Sequence, residues 1–138
     1  MEMIVRFYES SDLWEFEKYN YEKWNPELNH YNILGINLSI VIGFSGEEET
    51  KDIFTLLVVH ESDFCKEVID SSTPVWIVRG DFSWGKVYNA IENFVASCNQ
   101  GAIDEKFLRL RKRMNWEFEG RENVPHVNKE MLTWIALE

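Results

Sequence analysis

Residues 32–60 read NILGINLSIVIGFSGEEETKDIFTLLVVH. From Leu34 the even positions are Leu34, Ile36, Leu38, Ile40, Ile42 and Phe44, and the odd ones include Gly35, Asn37, Ser39 and Gly43. Side chains on a strand alternate between its two faces, so this pattern predicts a strand with one buried face. Residues 45–51 (SGEEETK) break the alternation, and residues 52–60 (DIFTLLVVH) resume it with β-branched and large apolar side chains. The pair predicts an antiparallel hairpin with an acidic tip at Glu47, Glu48 and Glu49. The second run is apolar on both faces, Phe54, Leu56 and Val58 on one and Ile53, Leu57 and Val59 on the other, as expected of a strand inside a sheet.

Outward from the hairpin, residues 3–8 alternate as a short strand. Residues 10–30 (SSDLWEFEKYNYEKWNPELNH) have poor periodicity and read as a connector carrying aromatics and acids. Ser62 is placed to cap a short helix over 63–69. Residues 75–79 (VWIVR) form another strand. In the longest helix, Ser83 to Asn99, Trp84, Val87, Tyr88, Ile91, Phe94, Val95 and Cys98 recur at three and four residues, with Gly101 just past the end. Asp104 reads as the cap of a second helix, with Phe107, Leu110 and Met114 inward and the basic run 109–113 (RLRKR) on the solvated face. Residues 116–120 (WEFEG) read as a last short strand, and the tail as a short helix from Asn128 with Met131, Leu132 and Ile135 on one face. The order implies an α+β fold, a mostly antiparallel sheet with two to three helices packed on one face.

The chain has 138 residues, 45% hydrophobic with twenty aromatics, which suits a single domain over 1–138 with a real core. No apolar run approaches the ~20 residues that cross a bilayer. The start, MEMIVRFYES, lacks a basic segment followed by an apolar one, so a cytoplasmic location is expected. Cys65 and Cys98 read as buried, reduced thiols rather than a disulfide or metal site. Residues 1–70 carry fifteen acids against five bases, whereas residues 71–138 carry nine of each, so the net charge of −10 lies wholly in the first half. Such a field repels phosphate backbones and steers cationic partners, which disfavours direct nucleic-acid binding; acids also serve simply to keep a protein soluble.

Motifs for chemistry are sparse. His30, His60 and His126 share no metal-site spacing, no Gly-rich loop with a Lys marks a nucleotide site, and no serine stands in a nucleophile elbow. Glu117 and Glu119, beside Trp116 and Phe118, are the best enzymatic candidates, because partial burial of one raises a carboxyl pKa. No catalytic, metal or cofactor residue is assigned.

The succession of the 32–60 hairpin, a short helix, VWIVRGDFSWGKVYNAIENFVASC as strand and helix, a Gly, a second charged helix and a closing NWEFEG resembles the immunity-protein-eight family of bacterial polymorphic toxin and contact-dependent inhibition systems. The resemblance covers residues 30–121; 1–29 is an aromatic and acidic N-terminal segment and 122–138 a C-terminal extension. It implies a small cytoplasmic protein, not an enzyme, that binds a cognate toxin domain and blocks its active site or substrate access. A nuclease toxin with a basic surface suits the charge of −10. Glu15, Glu17, Glu22, Glu47, Glu48, Glu49 and Asp52 are the expected acidic face, with Trp14, Tyr19 and Trp24, and also Phe16 and Tyr21, as candidate anchors. The rival readings are an adaptor domain for another basic protein, and a small enzyme with a pocket and a raised carboxyl pKa near Trp116.

Overall fold

The structure, a computed structural model, describes residues 2–10, 35–64 and 72–135. The elements in these residues are β1 (Met3–Glu9), β2 (Ile36–Phe44), β3 (Glu47–His60), a 3-10 turn (Glu61–Asp63), β4 (Val75–Val78), α1 (Trp84–Ser97), α2 (Ile103–Arg111), β5 (Asn115–Trp116) and β6 (Leu132–Ile135). The six strands form one mixed sheet in the order β1-β2-β3-β4-β6, with β5 paired to β3. The fold is α+β.

The hairpin behaves as its alternation dictates. Ile36, Leu38, Ile40, Ile42 and Phe44 are all buried, as are Phe54, Leu56 and Val58 opposite them. This face meets α1 through Trp84, Val87, Tyr88, Ile91 and Val95, and α2 through Leu110. The opposite face holds a smaller cluster of Val59, Val75 and Ile77 flanked by Leu57 and Phe64. β3 is thus apolar on both faces where it is central, but Ile53, near its start, is 39% exposed.

Two pairings are parallel, β3 with β4 and β4 with β6. A parallel pair needs a long crossover, and residues 61–74 and 79–131 are long enough to make them. The second edge of β3 is divided: β5 runs antiparallel beside Phe54 and Thr55, and β4 runs parallel beside Leu57 to His60. The tail expected as a helix from Asn128 is instead strand β6. Thr133 and Ile135 turn toward the core while Leu132 and Trp134 stay 38% and 42% exposed, a period of two that a helical reading of Met131, Leu132 and Ile135 overlooked.

Smaller differences concern the helix caps. A 3-10 turn over Glu61–Asp63 is capped by His60, its Nδ1 accepting from the Ser62 amide; the helix expected to be capped by Ser62 has its residues 65–69 outside the described residues. Ala102, not Asp104, precedes α2, and Asp104 and Glu105 sit in its first turn where they suit the dipole. Cys98 is buried and reduced, whereas Cys65 lies outside the described residues.

The acidic segment is not a loop tip. Ser45 and Gly46 alone make the turn, with Gly46 at φ 84°, and Glu47 already pairs with Phe44. The register then jumps, since Ile42 faces Asp52, so residues 48–51 bulge opposite Gly43. The bulge turns its carbonyls inward, and Arg6 of β1 satisfies them: Nε donates to the Thr50 carbonyl at 3.0 Å and Nη2 to those of Phe44, at 3.1 Å, and Glu47. Thr50 completes the arrangement by accepting from the Phe44 amide at 3.0 Å and donating to the Glu47 carbonyl at 2.9 Å. The guanidinium fits only because position 43 lacks a side chain: a Cβ there would stand 2.0 Å from Arg6 Nε and 2.6 Å from the Thr50 carbonyl oxygen. Gly43→Ala is therefore expected to expel Arg6 and lower stability by about 1–3 kcal/mol in urea denaturation, the usual cost of overpacking. Unchanged stability with the bulge amides still protected from hydrogen exchange would refute this account.

Candidate partner-binding surface

The pinned bulge presents Glu47, Glu48 and Glu49 to solvent. Just beyond it Asp52 is half-buried, its Oδ1 accepting from Trp116 Nε1 at 3.3 Å. Burial pushes the Asp52 carboxyl up; the Trp116 bond pulls the other way, and the nearby Glu117 carboxylate adds to the rise. Glu117 extends the β5 ladder, its amide donating to the Ile53 carbonyl at 3.0 Å and its Oε2 accepting from the Ile53 amide at 2.7 Å. A side-chain carboxylate here takes the place of a strand carbonyl. Ile53, 39% exposed, follows Asp52 along β3 and is tied to Glu117 through its backbone, and its side chain lies on the sheet face opposite to Asp52 and Phe54.

Of the residues singled out in the sequence, Glu47, Glu48, Glu49 and Asp52 share this end of β3. Trp14, Glu15, Phe16, Glu17, Tyr19, Tyr21, Glu22 and Trp24 lie outside the described residues. Sequence reasoning missed Arg6, Ile53 and Glu117 as parts of the same surface. Only the exception to the apolar pattern at 52–53, an Asp beside an Ile at the start of an otherwise buried strand, hinted at the last two.

Glu119 is placed otherwise than a catalytic acid requires. Its Oε1 accepts from Arg111 Nε at 2.6 Å, and its Oε2 pairs with Lys129. Burial alone would raise its pKa, but the bonds from Lys129 and Arg111 outweigh it and hold the carboxyl below its ordinary range. Lys129 is lowered too, first by burial and further by Arg111, because one carboxylate serves two cations. Arg111 itself is only 4% exposed, so the expected solvated face of 109–113 has one of its members buried. Arg111 Nη2 also donates to the Pro125 carbonyl at 2.6 Å, and Lys129 Nζ to those of Arg111, at 2.5 Å, and Met114, at 2.8 Å. The network clamps the segment before β6 to the end of α2. The raised carboxyl near Trp116 belongs to Asp52, while a cleft of about 480 Å³ beside that ring is lined by Phe107, Leu108, Trp116, Asp104 and Arg111 and does not include Asp52. His60 serves the backbone, with Nε2 at 2.5 Å from the Gly80 carbonyl oxygen. Among the described residues no group of three or more His, Cys, Asp and Glu is placed to hold a metal ion, and no helix is long and apolar enough to cross a membrane.

A mixed sheet under two helices, with a bulged and acidic end of β3, defines an acidic α+β protein. The family model Immunity protein 8 matches residues 4–120, most of the chain, and the chain belongs to that family. Neither the curated proteins nor the solved structures give a significant match.

Two outcomes test these electrostatics. Asp52 has a raised folded pKa, so its charged form opposes folding above that value, and the penalty vanishes below the ordinary 3.8. Asp52→Asn, which keeps an acceptor for Trp116, is expected to raise the melting temperature at pH 7 and to match the wild type at pH 3.5. Glu119 has a depressed folded pKa, so it stabilises above its ordinary 4.5, and that contribution is lost as pH falls through the lower folded value. Glu119→Gln is expected to cost about 1–3 kcal/mol at pH 7 by leaving buried donors underserved. In urea titrations across pH, the gap from wild type should narrow steadily below 4.5; a gap independent of pH would show that charge is not its source.

Proposed function

We propose that this chain binds a cognate toxin domain inside the cell that carries both, and neutralises it by covering its active site or its access to substrate. The observation that carries the reading is the acidic end of β3 in a member of the Immunity protein 8 family. Glu47, Glu48 and Glu49 face outward at a bulge that Arg6 pins through the Thr50, Phe44 and Glu47 carbonyls, and Asp52 is kept partly buried beside another carboxylate, against its own charge. A carboxylate such as Asp52, retained at a cost to stability, fits a surface selected for a cationic partner. A toxin with a basic substrate groove, such as a nuclease, is the partner this surface suits. Charge speeds encounter, and exposed Ile53 at the same end of β3 offers an apolar contact.

Co-expression with the carboxyl-terminal domain of the neighbouring toxin gene tests the function: survival and a complex that co-purifies are expected. The surface is tested separately by a Glu47→Lys, Glu48→Lys, Glu49→Lys variant. Its association rate at low salt should fall at least about tenfold and lose most of its salt dependence, as for steered encounters. Unaltered kinetics would move the interface elsewhere, and death of cells that express the folded chain would remove the function.

A further inference from the structure

The family match ends at residue 120, and the segment that follows builds a feature of its own. Between α2, the 117–120 turn and the 121–131 strand approach lies an open cleft of about 780 Å³, within the size range of small-molecule sites. Arg111, Arg121, His126 and Lys129 line it, against the single lining carboxylate Glu119. Even with His126 neutral, three cations face one anion, in a chain whose net charge is −10. Glu130, close by in sequence, is engaged with Arg113 at 2.9 Å.

The cations differ in what they have left to give. Lys129 is committed to Glu119 and to the carbonyls of Arg111 and Met114. Arg111 places Nε on Glu119 and Nη2 on Glu119 and the Pro125 carbonyl, and its Nη1 has no partner among the described residues. Its guanidinium is buried and fixed by these bonds and by the Trp116 ring, 5.8 Å away. Arg121 is exposed and stacked at 4.5 Å on Phe118, which holds its charge at the rim. His126, also exposed, adds a ring donor. The other wall is apolar, with Val124, Val127 and Met131.

We propose that this cleft binds a phosphate group, with Arg111, Arg121 and His126 donating to its oxygens and the apolar wall receiving the organic part of a phosphate monoester. An excess of two positive charges matches a dianion, and a fixed, half-engaged guanidinium beside a second one is the arrangement in which arginine recognises phosphate oxygens in pairs. The pKa of Lys129 is lowered first by burial, and the neighbouring Arg111 adds to the fall. The cleft shares no lining residue with the acidic end of β3, and phosphate binding there does not depend on the toxin reading.

Inorganic phosphate and glycerol 3-phosphate titrated into the intact protein at constant ionic strength, followed by amide chemical shifts, test the proposal. Saturable shifts at residues 120–131 are expected with both, and tighter binding of the ester would assign the apolar wall to the organic part. Equal affinities would assign the site to free phosphate. Arg121→Ser and His126→Gln, both exposed changes that leave the clamp intact, should each weaken binding, the first at least about tenfold, the equivalent of one charge-assisted hydrogen bond. Shifts that grow without saturating in either titration, or an affinity unchanged in the folded double variant, would overturn it.

Discussion

β3 depends on having both edges paired, and most of the fold follows from how that is done. β2 covers one edge over nearly the whole strand, whereas the other is shared by β5 at Phe54 and Thr55 and by β4 from Leu57 onward. An unpaired edge in the middle of a sheet would bury amides and carbonyls without partners, which costs more than any single packing contact here returns. β4 therefore arrives parallel, by a crossover, and brings β6 with it. Where neither β5 nor β4 reaches, at Ile53, the Glu117 carboxylate closes the ladder in place of a backbone carbonyl. The same substitution recurs at the outer strand, where the Asn99 side chain accepts from the Met3 amide at 2.8 Å and donates to its carbonyl at 2.9 Å, tying β1 to the end of α1.

Two arginines do related work at two irregular stretches of the backbone. Arg6 gathers carbonyls that a bulge turns inward, and so lets three successive glutamates face solvent without dissolving the strand that carries them. Arg111 gathers a carboxylate and a carbonyl and so holds the segment before β6. In each case a planar donor with several N–H groups serves acceptors that have no strand partner, which a lysine ammonium matches less well. The acidic surface and the cationic cleft thus both accompany the need to satisfy irregular backbone.

Much was legible in order. The alternation of Ile36, Leu38, Ile40 and Ile42, the stripe from Trp84 to Val95 and the antiparallel pairing of β2 with β3 follow from periodicity, because burial of one face is a local property of the pattern. The family resemblance was legible in the succession of these pieces. The turn was misplaced by its own composition: three glutamates suggest a solvated loop, yet Ser45 and Gly46 suffice to reverse the chain. The tail failed for a different reason. Leu132 to Ile135 fits two periods in so short a run, and only the open edge of β4 decides between them.

The sequence by itself therefore determined the hairpin, the long helix, the sign and location of the excess charge, and the family. The tertiary structure alone decided the parallel strands, the burial of Arg111 in a run that looks solvated, and the meeting of Asp52, Ile53 and Glu117, 64 positions apart for the last two. Periodicity records which face of an element is apolar. It carries no information about which edge of a strand still lacks hydrogen bonds, and in this chain those unsatisfied edges choose the partners.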